Sequence, residues 1–174
     1  MSRKQMIRLL LVVPLAALGG WLFATFAKPP AAPASVTVSQ GSLHRTARDS
    51  GEHIHVRLAA TRQLTDQDLL ADLAKHANHT SMRQVAVARL KDQSLLADLA
   101  MTADEPSVRL AAVNKLSDMV TLAAVAKNDE EDPVLRAAAT RKLTNPVLLT
   151  DLAETVEDPA VRQAAEETLA EFLK

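Results

Sequence analysis

Five arginines stand at nearly equal intervals in this chain. From Arg57 through Arg83, Arg109 and Arg136 to Arg162 the spacing is 26, 26, 27 and 26. Each opens a related segment: "VRLAATRQL", "MRQVAVARL", "VRLAAVNKL", "LRAAATRKL" and "VRQAAEETL". Between these run "TDQDLLADLA", "KDQSLLADLA", "SDMVTLAAVA" and "TNPVLLTDLA". Self-similarity at this period means that one unit is too small to bury its own apolar face, so that stacking of neighbours supplies the core.

The spacing within a unit predicts two helices. Leu69, Leu70 and Leu73 recur as Leu95, Leu96 and Leu99 and again as Leu148, Leu149 and Leu152, and an i, i+1, i+4 pattern is a helical stripe. Asp66, Asp92, Asp118 and Asn145 precede these stripes as N-caps, and Pro146 takes a first-turn position where its missing N–H costs nothing. Asp132-Pro133 and Asp158-Pro159 start second helices by the same logic. Their small pairs, Ala59-Ala60, Ala111-Ala112 and Ala164-Ala165, allow close approach of neighbouring helices.

Ahead of the repeats lies a segment of different character. The run from Leu9 to Ala27 carries no charge. As a helix it would span about 28 Å, close to the hydrocarbon thickness of a bilayer. Arg3, Lys4 and Arg8 precede it and only Lys28 follows closely. The positive-inside rule then keeps residues 1–8 in the cytoplasm and carries the remainder across. Trp21 and Phe26 fall near the far end, at interfacial depth. A cleaved signal peptide is the alternative, ending at Ala27 or Ala34, although its apolar core usually runs only roughly 7–15 residues. Residues 28–51, beginning "KPPAAPASVTVSQGS", read as a Pro/Ala-rich extended linker, and residues 52–174 as the repeat domain.

Composition excludes several functions. The 20 basic and 21 acidic residues nearly cancel, and with three of the basic ones ahead of the apolar run the body is mildly acidic. Nucleic-acid binding, which needs a basic footprint, is not expected. Phe172 is the one aromatic outside residues 21–26, so the repeats offer no platform for stacking bases or sugars. The absence of Cys removes disulfides, thiolate metal sites and a cysteine nucleophile. Neither a nucleophile elbow nor a phosphate-binding glycine loop is present, so the chain is not expected to be an enzyme and no cofactor is implied.

The "DPxVRxAAxxxL" pattern of the second helix resembles the HEAT-repeat superfamily, in its short bacterial form, over residues 52–174. The resemblance implies an all-α, right-handed solenoid of helical hairpins, here about four and a half units behind a single transmembrane helix. It also implies that second helices such as Val134 to Leu143 line a concave surface. Units of this length are shorter than usual for the family, glycine is missing after the second helix, and the first unit shows no first helix. A motif of this kind speaks to fold and hardly to function. With the anchor it leads to the expectation of a periplasmic interaction module or assembly subunit at the bacterial inner membrane.

Four groups of residues compete as its working surface. The arginine column, Arg57, Arg83, Arg109, Arg136 and Arg162, reads as a structural ladder bonded to Asp72, Asp98 or Asp151 or to turn carbonyls. Five or six residues further on stand Arg62, Arg89, Lys115, Arg141 and Lys142. These are either a partner-binding stripe for an acidic peptide or residues favoured at helix C-termini by the dipole. Acids gather in the turns, at Asp104-Glu105, Asp129 through Asp132, and Glu154, Glu157 and Asp158, as a solvated edge or as a dock for a basic partner or a divalent cation. His53, His55, His76 and His79 form a loose group that suggests a metal-handling alternative, without a fixed ligand motif.

Overall fold

The computed structural model describes residues 38–172. The apolar run at 9–27, with the cytoplasmic tail and the first part of the linker, lies outside the described residues. Ten helices and no strands occur among those described: α1 (Gln40–Arg48), α2 (Ile54–Gln63), α3 (Gln67–His76), α4 (Thr80–Arg89), α5 (Gln93–Thr102), α6 (Pro106–Lys115), α7 (Met119–Lys127), α8 (Pro133–Thr140), α9 (Pro146–Thr155) and α10 (Pro159–Phe172). Odd-numbered helices pair with the even-numbered helix that follows, giving five hairpins. The second helices α2, α4, α6, α8 and α10 form one continuous ladder, and α1, α3, α5 and α7 form another.

Helix starts follow the sequence. Asp66 Oδ1 accepts from the amides of Asp68 and Leu69, Asp92 Oδ1 from Ser94 and Leu95, Asp118 Oδ2 from Thr121, and Asn145 Oδ1 from Val147. Pro106, Pro133, Pro146 and Pro159 each open a helix, where the first N–H would lack an intrahelical acceptor anyway. The ends are made differently. No residue with a described backbone has positive φ, so the missing C-terminal glycine has a direct explanation. The chain leaves α2, α4 and α6 in extended conformation at Leu64, Leu90 and Leu116, and each of these leucines is fully buried. In these three units the last Leu of the repeat motif is therefore a plug beyond the helix, whereas Leu169 of the fifth unit stays within α10.

The core is aliphatic. From the first helices come Leu70, Leu73, Leu96, Leu99, Leu122, Val125, Leu149 and Leu152; Met82, Ala86, Val87, Val108, Ala112 and Val113 answer from the second. In the stripe Leu69-Leu70-Leu73 the latter two are buried and Leu69 lies on the flank, as do its counterparts Leu95 and Leu148.

One boundary is corrected. The segment expected to stay extended through residue 51 is helical over Gln40–Arg48, and this α1 packs on α2 and α3. The first unit therefore does have its first helix, and there are five hairpins where four and a half were expected. α1 ("QGSLHRTAR") lacks the leucine stripe because its position at the end of the described array gives it neighbours on one side only; Leu43 and Ala47 alone are buried.

Candidate functional site

Turn length divides the hairpins into two kinds. Units 1 and 4 join their helices through five residues, 49–53 and 128–132, whereas the other three units use three. The arginine ladder divides the same way. In the long turns the arginine folds back deep into its own hairpin: Arg57 Nε donates to the Ala47 carbonyl at 2.9 Å and Arg136 Nε to that of Ala126 at 3.2 Å. Arg57 is 3% and Arg136 5% exposed. Thr61 and Thr140, one turn later, close both arrangements by donating to the arginine carbonyls at 2.9 Å.

In the short-turn units 2 and 3 the arginine reaches across to the next hairpin. Arg83 Nε lies 2.6 Å from Glu105 Oε2, an ion pair whose angle falls short of a hydrogen bond. Arg109 Nε pairs with Glu131 Oε2 at 3.1 Å while its Nη1 donates to the Ala103 and Asp104 carbonyls. Arg162, in the last unit, donates to Val156 and Glu157 carbonyls of its own turn. Of the ladder, Arg109 and Arg162 bind turn carbonyls, Arg57 and Arg136 bind carbonyls at the C-terminal ends of α1 and α7, and Arg83 has Glu105 alone. The carboxylate partners are Glu105, Glu131 and Asp129, and Asp72, Asp98 and Asp151 are not among them. The ladder arginines meet either their own hairpin, as Arg57, Arg136 and Arg162 do, or the next unit's turn glutamate, as Arg83 and Arg109 do, and the first-helix aspartates are bonded elsewhere.

Those aspartates have their own role between first helices. Asp72 takes His44 Nε2 at 2.6 Å and Arg48 Nη1 at 3.0 Å, Asp98 takes Lys75 at 2.6 Å, and Asp151 takes Lys127 at 2.7 Å. The Lys75 bond is the main reason that the Asp98 carboxyl lies below its ordinary range. Between α5 and α7 the same two positions are Met101 and Ala124, so the charge pair is missing there.

A further column escaped the sequence reading. Gln40 Oε1 accepts from the Thr65 and Asp66 amides, Gln67 Oε1 from Lys91 and Asp92, and Gln93 Oε1 from Ser117. The first residue of α1, α3 and α5 thereby holds the turn that precedes the next first helix. The signal was the recurrence of Gln at the repeat period, from Gln40 to Gln67 to Gln93, in a column that continues as Met119 and Pro146.

The stripe proposed for partner binding is partly engaged. Arg89 Nε donates to the Leu64 carbonyl at 2.8 Å, Lys115 Nζ to Ala88, and Lys142 Nζ to Asn114 at 2.6 Å. Each cation sits on the C-terminal carbonyls of the second helix one unit earlier, where the helix dipole favours it. Burial, and secondarily Lys91 nearby, lowers the Lys115 pKa below its ordinary value. Arg62 and Arg141 are exposed and make no side-chain bond among the described residues.

The turn acids are likewise mostly committed. Asp132 and Asp158 cap α8 and α10, Glu105 and Glu131 meet arginines, and Asp129 Oδ1 lies 2.6 Å from Arg136 Nη2. Ser107 Oγ, donating to Glu105 Oε1 at 2.6 Å, is the leading cause of that carboxyl's lowered pKa. Because Arg136 turns back, a groove of about 690 Å³ opens between units 4 and 5, lined by Lys127, Asp129, Arg136, Asp151, Glu157 and Asp158 among others. The corresponding groove between units 2 and 3 measures about 380 Å³, with Arg83 and Glu105 in its wall.

The histidines do not come together as a set. His53 and His55 stack with ring centroids 5.2 Å apart. His53 and His79 occupy the N-cap positions of α2 and α4 without capping them. Among the described residues no three His, Cys, Asp or Glu side chains converge on a metal position. No described helix is long and apolar enough to cross a membrane. Comparison with protein-family models, curated proteins and solved structures finds no match to this chain.

Proposed function

We propose that the chain is a protein-interaction scaffold or assembly subunit, a right-handed HEAT-like α-solenoid held at the bacterial inner membrane by residues 9–27, with the repeats on the periplasmic side. The observation that carries this reading is the unbroken second-helix ladder with a basic residue at the end of each of its first four helices. Repeated charges on a rigid array meet an extended or rigid partner together, so that contacts worth about 1 kcal/mol or less each add up. Arg62 and Arg141 are the members of the stripe that remain available; Arg89, Lys115 and Lys142 contribute field while holding carbonyls.

The test is site-specific photo-crosslinking of the full chain in intact cells, with probes at positions 62 and 141 and a control at Asp68 on α3. The expected result is one crosslinked species from 62 and 141, absent from 68, recovered with the membrane fraction on a chain whose intact mass still includes Met1. Arg62→Glu with Arg141→Glu removes it when the probe is moved to Gln63. Equal labelling from 68, or a chain beginning at Lys28 or Ser35 in the soluble fraction, overturns respectively the binding face and the anchor.

A further inference from the structure

The α1–α2 turn and the α7–α8 turn are the same construction used twice, three units apart. Ala47 matches Ala126, Arg57 matches Arg136, and Thr61 matches Thr140. Both arginines are buried, both anchor Nε on the alanine carbonyl ten residues back, and both receive the threonine hydroxyl on their own carbonyl. With Nε fixed alike, the far end of each guanidinium is aimed into its own turn.

What differs is the counter-charge. In the α7–α8 turn Asp129 Oδ1 stands 2.6 Å from Arg136 Nη2, and Asp132 Oδ1 accepts the Val134 amide at 2.7 Å. In the α1–α2 turn these positions are Ser50 and His53. Arg57 Nη2 is buried without a partner among the described residues, and α2 begins with no side-chain cap, so the amide of His55, counterpart of Val134, lacks its acceptor. The nearby acids do not replace the missing pair. Asp49 Oδ1 is taken by the Gly51 amide at 2.9 Å, and Glu52, the counterpart of Glu131, is exposed because no described unit precedes it to supply an arginine.

A buried guanidinium with no opposite charge is unfavourable, and the first turn of a helix adds a positive potential to the same spot. We infer that the α1–α2 turn is a receptor for an external carboxylate ligand, which meets Arg57 Nη2 and the His55 N–H, the groups whose counterparts in unit 4 are met separately by Asp129 and Asp132. Carboxylate is the group because the homologous turn is completed by two of them. In unit 4 the carboxylate that meets the equally buried Arg136 is itself 86% exposed, so a turn of this construction takes its counter-charge from the solvent side; Ser50, His53 and His55, all exposed, occupy that side in unit 1. This site lies at the opposite end of the second helices from the Arg62–Arg141 stripe, since Arg57 is at the start of α2 and Arg62 at its end, so the two readings stand or fall separately.

The experiment is thermal denaturation of the full chain in detergent, with succinate as probe at constant ionic strength set by sodium chloride. Wild type is expected to show a saturable rise in Tm with succinate and none with chloride. Ser50→Asp with His53→Asp installs the two carboxylates of unit 4. That variant is expected to melt above wild type and to have lost the succinate response. A capped hexapeptide of sequence Asn-Asp-Glu-Glu-Asp-Pro, the α7–α8 turn itself, forms a second arm. Saturation at lower concentration than succinate identifies an acidic protein segment as the occupant, and the reverse order identifies a free small carboxylate. Absence of any succinate effect on wild type, or a double variant that responds as wild type does, overturns the inference.

Discussion

Leu96→Ala tests how the array holds itself together. Leu96 is 1% exposed in α5, which touches α3, α6 and α7. Truncation removes three carbons from water-excluded contact, worth about 2.4 kcal/mol at roughly 0.8 kcal/mol per methylene. A residual cavity adds to this because helices on three sides restrict collapse, placing the cost in the upper part of the roughly 2–5 kcal/mol range for such substitutions. Leu149 occupies the equivalent position in α9 and is equally buried, but α9 packs chiefly on α10. There the wall on the α7 side can close in, so Leu149→Ala should cost little beyond the transfer part of about 2.4 kcal/mol, toward the lower end of the range. Chemical denaturation of both variants followed by circular dichroism measures the difference, and native-state amide exchange shows where it falls. Leu96→Ala should lower protection across units 2 to 4, whereas Leu149→Ala should loosen unit 5 and spare the middle. Equal costs at the two positions, with uniform loss of protection along the chain, would refute nearest-neighbour coupling as the source of stability.

Two further predictions use polar groups. The carboxyls of Asp92, Asp118, Asp98 and Glu105 all titrate below their ordinary values, held down chiefly by Ser94, Thr121, Lys75 and Ser107 respectively. A depressed acid stabilises the fold above its unfolded pKa and loses that contribution as pH falls through the folded one. The melting temperature should therefore hold between pH 7 and 5 and drop below about 4, and a drop already complete by pH 5 would count against this origin. Gln67→Leu deprives the Lys91 and Asp92 amides of their shared acceptor. Water reaches this turn, so the loss should be only about 1 kcal/mol by denaturant titration, with faster exchange at those two amides; unchanged exchange would show that the glutamine column does not hold the turns.

How much of this was legible depended on the range of the interaction. The caps Asp66, Asp92, Asp118 and Asn145 and the buried Leu70, Leu96 and Leu149 are set by near neighbours along the chain, and periodicity exposes them. α1 was hidden because its stripe is reduced to Leu43 and Ala47, although Gln40, Leu43 and Ala47 each stand one repeat before their counterparts Gln67, Leu70 and Ala74. The basic stripe was legible as a row but not in its bonding. Whether Lys115 faces solvent or the Ala88 carbonyl is decided by the offset between stacked units, and no local pattern encodes that offset.

The single irregular interval in the arginine column, from Arg109 to Arg136, has a meaning that only the three-dimensional arrangement supplies. The extra residue lies in the α7–α8 turn, and the α1–α2 turn has the same length. A longer turn lets the arginine fold back to a carbonyl ten residues earlier; a shorter one leaves it extended toward the next unit's glutamate. Ion pairs of this kind therefore join unit 2 to 3 and 3 to 4, and among the described residues they do not join 1 to 2 or 4 to 5. Turn length thus divides the array into a middle stitched by these ion pairs and two ends joined to it by other polar contacts, Arg48–Asp72, Gln40–Thr65 and Arg89–Leu64 at one and Lys127–Asp151 at the other. Both ends keep a buried arginine turned inward, and in unit 4 alone does the chain supply its counter-charge. The same lengthening that turns the arginine inward leaves, in unit 1, the buried Arg57 guanidinium without a counter-charge among the described residues, the charge that we infer a carboxylate from outside supplies.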